Sequence, residues 1–185
     1  MKYVQPIRDL AKIEEMKSEL RKNGTRDYLL FSLGINSGLR ISDIIKLQVK
    51  DVVNPDKTIK MHIDIIEKKT NKSKRFKINA SLGEEIRQYV KYMQLDDFLF
   101  QSRKGTKHIT RVQAYRILND VANRVGLSEI GTHTLRKTFG YHFYKQTKDV
   151  ALLQQLFNHS SPSITLRYIG ITQDIIDNAY SNFSL

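Results

Sequence analysis

Thr58-Ile59-Lys60-Met61-His62-Ile63-Asp64-Ile65 decides the fold class, because here the apolar residues recur at every second position. Side chains of a strand alternate between two faces. The spacing therefore predicts a buried face of Ile59, Met61, Ile63 and Ile65 and a wet face of Thr58, Lys60, His62 and Asp64. A second run of the same period follows a Lys-rich turn: Phe76 and Ile78 alternate with Arg75, Lys77 and Asn79. Two half-buried strands joined this closely predict a small antiparallel hairpin.

On both sides of the hairpin the apolar period is helical. Upstream, Leu10, Ile13, Met16 and Leu20 predict a helix over residues 9–21, stopped by Asn23-Gly24. Residues 26–37 are apolar almost all round (Tyr28, Leu29, Leu30, Phe31, Leu33, Ile35), which predicts a helix central to the core. Gly38 ends it, and a short helix over 41–46 follows. Downstream stripes are Ile86/Tyr89/Val90/Met93, Tyr115/Leu118/Ala122/Val125, Leu135/Phe139/Phe143 and Val150/Leu153/Phe157. Ser161-Pro162 reads as an N-cap with proline at the first helical position, opening a short helix through Tyr168. Ile176, Ala179, Tyr180 and Phe183 form a last stripe that must dock on its own domain or on a neighbour. The expected fold is α+β, mostly α, with one small hairpin.

A chain of 185 residues predicts one domain, 1–185, able to bury its own core. With 40% hydrophobic and 27% charged residues it reads as globular, not disordered. The absence of cysteine excludes disulfides, thiolate metal sites and a thiol nucleophile, and fits a reducing cytoplasm. Lys and Arg total 31 against 19 Asp and Glu, a net charge of +12. That balance predicts a polyanionic partner, nucleic acid first and anionic membrane second. No stretch approaches the ~18 apolar residues of a spanning helix, and residues 1–16 hold no apolar signal region.

The sequence holds no Walker loop, no dinucleotide fingerprint and no His-Glu-x-x-His. Its five histidines (62, 108, 133, 142, 159) lack ligand spacing beside carboxylates, and carboxylates are too scattered for a two-metal site. No metal or cofactor is expected. Phosphodiester cleavage without metal needs a side-chain nucleophile, fixed cations on the non-bridging oxygens and a proton donor for the leaving oxygen. Arginine suits the second task, because its fork binds phosphate bidentately.

The candidates come in order along the chain. Arg40 follows the helix stop at Gly38, and Lys69 sits where the first strand enters the basic turn. His133 and Arg136 are three apart, neighbours on one helix. His159 lies on a turn, and Tyr168 on the helix opened by Ser161-Pro162. Each alone has an ordinary reading: a solvated arginine, a surface His-x-x-Arg pair, a core tyrosine, a histidine satisfying a turn, a solvated lysine edge.

Taken together and in this order, these residues closely resemble the catalytic domain of the tyrosine recombinases, the phage integrase family. The matching segments are Ser37-Gly38-Leu39-Arg40-Ile41-Ser42-Asp43, Thr132-His133-Thr134-Leu135-Arg136-Lys137-Thr138-Phe139 and Asn158-His159-Ser160-Ser161-Pro162-Ser163-Ile164-Thr165-Leu166-Arg167-Tyr168. The resemblance implies that Tyr168 is the nucleophile, forming a 3′-phosphotyrosyl link to DNA and freeing a 5′-hydroxyl. It implies that Arg40 and Arg136 clamp the phosphate, and that His133 handles a proton, mainly as base toward the tyrosine. Lys69 becomes the general acid, with Lys72 the alternative, and His159 a hydrogen-bond donor to phosphate. Asp43 matches an acidic position that braces the cations, its ordinary reading being a surface charge. A phenol with pKa near 10 needs such a base or field to attack at neutral pH. Lys68, Lys72, Lys74 and Arg75 on the hairpin, with Arg103, Lys104, Lys107 and Arg111, are the expected phosphate contacts.

The implied activity is site-specific recombination of double-stranded DNA, without ATP, by a homo-oligomer that assembles as a tetramer on an attachment-type site. The last helix is a candidate for exchange between protomers. The alternatives are nicking and resealing like a type IB topoisomerase, a noncatalytic DNA-binding regulator descended from an integrase, and an RNA-binding basic protein. The chain departs from the family at Asn158, where glycine is common, and at Lys77-Ile78-Asn79, which lacks the usual proline. Members also carry an N-terminal core-binding domain, which has no counterpart here. The expectation is an expressed fragment with Met1 added, the other reading being a naturally short member.

Overall fold

Polar side chains mark most of the helix starts, and apolar faces fix how the helices stack. The computed structural model describes residues 4–66, 73–128 and 130–183, apart from the side chains of Ile176 and Ala179. α1 (Leu10–Asn23) begins at Asp9, whose carboxylate accepts from Ala11 N–H, and buries Ile13, Met16 and Leu20. α2 (Thr25–Ser37) is buried at every position from Asp27 to Gly34. α1 and the later helices α5 (Ala80–Val90) and α7 (Thr134–Thr147) cover it, as an all-round apolar helix requires. α3 (Ile41–Ile44) stops two residues short of expectation, and a further turn, α4 (Val49–Val52), follows. Gln48 and Asp51 cap α4 reciprocally.

β1 (His62–Ile66) and β2 (Ser73–Lys77) form the expected antiparallel hairpin, with Ile63 opposite Phe76 and Asp64 opposite Arg75. The expected strand through Ile59 and Met61 is interrupted. Ile59 bridges back to Val53, the chain bends at Met61, and the alternation restarts at His62. Met61 is consequently 69% exposed. α5 (Ala80–Val90) is capped by the Asn79 side chain, and α6 (Arg111–Arg124) opens with a Thr110/Gln113 capping box. The buried stripe of α6 is Ala114, Leu118, Val121 and Ala122. Leu118, Ala122 and Val125 are buried as expected, whereas Ala114 takes the inner place expected of the amphipathic Tyr115, which lies at the surface.

α7 (Thr134–Thr147), α8 (Val150–Phe157), α9 (Pro162–Ile169) and α10 (Ile171–Ser181) complete the chain. Ser161 caps α9, accepting from Ile164 N–H, with Pro162 in its first turn. A large apolar cluster runs from Ile7 to Leu135, under α1–α6 and the hairpin. A second, small one gathers Tyr141, Leu153, Phe157, Ile169 and Ile171. It closes only because residue 140 is glycine: a Cβ there would meet Ile169 and Phe157 at 2.7–2.8 Å. Among the described residues no helix is long and apolar enough to cross a membrane.

Candidate active site

Arg136 lies in the first turns of α7 and is only 3% exposed. Burying a guanidinium is costly unless its N–H groups find acceptors. Here Nη1 donates to the Gly38 carbonyl at 2.7 Å and Nη2 to the Phe157 carbonyl at 3.0 Å. Its Cζ stands 4.2 Å from the centroid of the Phe157 ring. Both acceptors are freed by local chemistry. α2 ends at Gly38 in the left-handed region (φ 63°), where a Cβ would strike Phe139 at 2.4 Å. α8 ends with Asn158 left-handed (φ 52°), the conformation asparagine tolerates. One side chain thus ties together the three segments that carry Arg40, His133 and His159.

Tyr168, on the last turn of α9, meets this cluster. His133, at the N-cap position of α7, places Nδ1 at 3.3 Å from the Tyr168 Oη. The rings of Phe157 and His159 stand edge-on to that of Tyr168, with centroids 5.6 and 5.1 Å away. Burial raises the phenol pKa above its ordinary value, against the opposing pull of Arg136, which hydrogen-bonds it, and of Arg40. Both histidines are pushed the other way, first by desolvation and then by cations. Those cations are Arg136, Lys137, Arg111 and Arg40 at His133, and Arg136, Arg40 and Lys74 at His159. The resting site therefore holds a protonated phenol beside a neutral imidazole, the pairing that general-base activation needs.

His159 is fixed at its turn by backbone and side-chain contacts. Its carbonyl accepts from Gln154 Nε2 at 3.1 Å, and its Nδ1 lies 3.0 Å from the Oγ1 of Thr165. Thr165 Oγ1 donates to the Ser161 carbonyl at 3.3 Å. With that hydroxyl hydrogen committed, Nδ1–H of His159 is the donor to Thr165, and Nε2 is left for any other partner. Thr165 was not among the candidates read from the sequence. Its signal was slight: a polar residue three before Tyr168 on a helix whose inner face is otherwise apolar.

Arg40 caps the start of α3, half-buried, within electrostatic reach of Tyr168 and both histidines. Asp43, three residues on, is buried rather than a surface charge. Its Oδ1 accepts from Ser42 Oγ at 3.5 Å, and its Oδ2 has no hydrogen-bond partner among the described residues. Lys68, Lys69 and Lys72 lie outside the described residues. On the flanking strand β2, Lys74 stands on the side of the hairpin that reaches His159. Arg75 points to the opposite face, where Asp64 accepts from its Nε at 2.7 Å and from Nη2 at 3.2 Å. Arg103, Lys104, Lys107 and Arg111 are all exposed, and the charge of Arg111 is felt at His133. The structure thus gathers Arg40, His133, Arg136, His159 and Tyr168, and brings Lys74 and Arg111 to their margin.

Residues 8–174 match the family described as the phage integrase family. The chain is 56% identical over 183 residues to the probable integrase/recombinase YoeC of Bacillus subtilis, covering 99% of this chain and 98% of that one. It is 30% identical over 158 residues to the tyrosine recombinase XerC of Herpetosiphon aurantiacus, covering 82% of this chain and 50% of that protein. It therefore spans nearly all of one relative and about half of the other. A structure of the XerH site-specific recombinase, bound to a palindromic difH substrate in a post-cleavage complex, superposes with a TM-score of 0.73. That match has 21% identity and covers 98% of this chain and 54% of that one. The family match over most of the chain, together with the shared fold, makes this chain a member of the phage integrase family with the fold of a tyrosine recombinase catalytic domain.

Proposed function

We propose that this domain breaks and rejoins double-stranded DNA at specific sites by phosphotyrosine transesterification. The observation that carries this reading is the junction at Arg136, whose guanidinium joins Gly38 to Phe157 beside a tyrosine 3.3 Å from a histidine nitrogen. Two of its N–H groups hold the fold, and its charge also acts on the phenol, where a scissile phosphate would have to approach. In the forward step His133 takes the phenolic proton and Tyr168 Oη bonds to phosphorus. The bond to the 5′-oxygen breaks, and that oxygen takes a proton from a lysine of the hairpin turn, Lys69 or Lys72. Arg40 and Arg136 hold the charge on the non-bridging oxygens, and His159 joins them as a donor once its Nε2 is protonated. The products are a 3′-phosphotyrosyl enzyme and a free 5′-hydroxyl, and the reverse step rejoins the strand with the stored ester energy. Asp43, buried three residues after Arg40, is the acidic group read as bracing the cations. Lys68, Lys74, Arg75, Arg103, Lys104, Lys107 and Arg111 contact the backbone, so binding weakens steeply with salt.

Assembly on DNA is read as a tetramer of this chain, with α10 as the exchanged element. Ile175, Tyr180 and Phe183 are exposed on that helix and just past it, Tyr180 at 78%. Deleting everything after Thr172 should abolish multimers on DNA in native gels. Unchanged multimers and solubility would remove α10 from the proposal.

Covalent trapping tests the chemistry. The protein is incubated in EDTA with nicked suicide DNA carrying a candidate attachment site. The expected result is a protein–DNA adduct that survives SDS and vanishes in Tyr168→Phe. Intact binding with no adduct, also on the element's own site with an upstream core-binding domain supplied, would overturn the enzyme reading in favour of a noncatalytic DNA-binding module.

A further inference from the structure

Lys137 sits directly after Arg136 on α7 and is 7% exposed. A lysine this deep must give its ammonium charge-stabilising partners, because desolvation alone favours the neutral amine. One partner is the Val4 carbonyl, which accepts from Nζ at 2.7 Å. Another is the face of the Tyr168 ring, whose centroid lies 5.2 Å from the same nitrogen. Burial and the Arg8 guanidinium lower the lysine pKa, as expected for an ammonium held in a dry, cation-rich pocket.

An ammonium over an aromatic face is attracted by the negative potential of the ring. That potential deepens when a phenol ionises, because the phenolate charge spreads into the ring. A cation there stabilises the phenolate more than the phenol. The Val4 carbonyl keeps the ammonium from swinging away. Val4 belongs to a strap, residues 4–8, that is fastened along α7: Ile7 N–H donates to Thr138 Oγ1 at 2.9 Å, and His142 Nε2 lies 2.9 Å from the Ile7 carbonyl. The strap also reaches the helix after the nucleophile, through an ion pair of 2.9 Å between Arg8 and Asp174.

Resting on the nucleophilic reading of Tyr168, we propose that Lys137 is a positioning residue for that nucleophile. Pinned by the strap, its ammonium holds the tyrosine ring and favours its ionised form during attack. Arg136 and Arg40 act on the phenol oxygen's side, whereas Lys137 acts on the ring face. The other groups facing Tyr168 are His133 from the start of α7 and His159 from the turn after α8.

The test uses the full chain, with Lys137→Gln, which can still donate to Val4 but carries no charge, and Lys137→Arg, which keeps a cation able to stack on the ring. Single-turnover adduct formation on nicked suicide DNA is followed against pH, and DNA affinity is measured separately. Lys137→Gln should slow cleavage about tenfold at neutral pH, shift the rising limb of the pH profile upward by about one unit and leave affinity within about twofold. Lys137→Arg should restore the wild-type profile. An unchanged pH profile in Lys137→Gln, or a loss carried by affinity alone, would overturn the proposal. Wild-type adduct formation separates the two failures: no adduct in wild type sinks the nucleophile reading, whereas a normal adduct in Lys137→Gln sinks only the role of Lys137. If Lys137→Gln does not fold, the contact is read by NMR in the unmodified lysine. Ring current should shift the Lys137 Hε signals upfield in wild type and not in Tyr168→Leu. Equal shifts in the two proteins would refute the contact.

Discussion

The two apolar clusters differ in size and in what they carry. The large one draws on α1–α6, the hairpin and Leu135, and it supports Arg40 and the start of α7. Among the described residues the small one has five buried members, and it supports His159, on the turn after α8, and Tyr168 on α9. The half that carries Arg40 is therefore deeply founded. The half that carries Tyr168 rests on Phe157, Leu153 and a few neighbours, and Arg136 crosses between them. Local stability follows buried apolar contact, so the Tyr168 half should open at lower free energy than the rest.

Truncating one phenylalanine in each cluster is the strongest way to break this comparison. Phe31→Ala and Phe157→Ala remove the same side chain from fully buried positions, each at about 3–5 kcal/mol. Phe31→Ala should lower the single cooperative melt of the whole domain. Phe157→Ala should instead release α8–α10 first, with fast amide exchange there and protection kept in α2. Global loss of protection in both variants would mean that the two clusters are one cooperative unit.

Arg136→Lys tests the link between the halves. A lysine cannot reach both carbonyls as a fork does. Losing one charged hydrogen bond to a buried carbonyl should cost about 2 kcal/mol, and adduct formation should fall at least about a hundredfold. Full stability with lost cleavage would show that the carbonyl bonds contribute nothing to the fold.

The histidines sharpen the comparison through pH. Both His133 and His159 have lowered pKa values in the folded chain, so below an unfolded value of about 6.5 the unfolded chain binds protons that the native one refuses. Their contribution to stability is complete above that pH and is lost as pH falls toward the lower native values. Melting curves at pH 7.5 and 5.5 should show this drop, and it should shrink in the double variant His133→Gln/His159→Gln. An unchanged drop would assign it to other groups.

The smallest effect is expected at the strap. The Arg8–Asp174 pair is about one-third exposed on the arginine side, so Arg8→Gln should cost no more than about 1 kcal/mol. Faster exchange confined to α10 would be its signature.

What the sequence made legible was mostly local. Ser161-Pro162 announced a cap, and α2 announced itself by being apolar on every side. The order Arg40, His133, Arg136, His159, Tyr168 announced the site. Met61 and Tyr115 misled, because periodicity gives a face but not its phase once a bend or a rim position intervenes. α4 was too short to show a period, and its Gln48/Asp51 box lacks the usual serine or threonine. The long-range contacts that build the site were not legible at all. Arg136 with Gly38, Lys137 with Val4 and Ile7 with Thr138 join residues 98, 133 and 131 positions apart.

The strap also orders events in time. Contacts of such long range form only after intervening chain has been made and its closure entropy overcome. During vectorial synthesis Val4–Arg8 emerges early and waits for α7, and Arg8 waits longer still for Asp174. Tyr168 meets His133, Arg136 and His159 as soon as α9 is made, and the Arg8–Asp174 pair forms afterwards. A chain cut short before Tyr168 would carry the basic surface of the hairpin and of residues 103–111 without the phenol that meets His133.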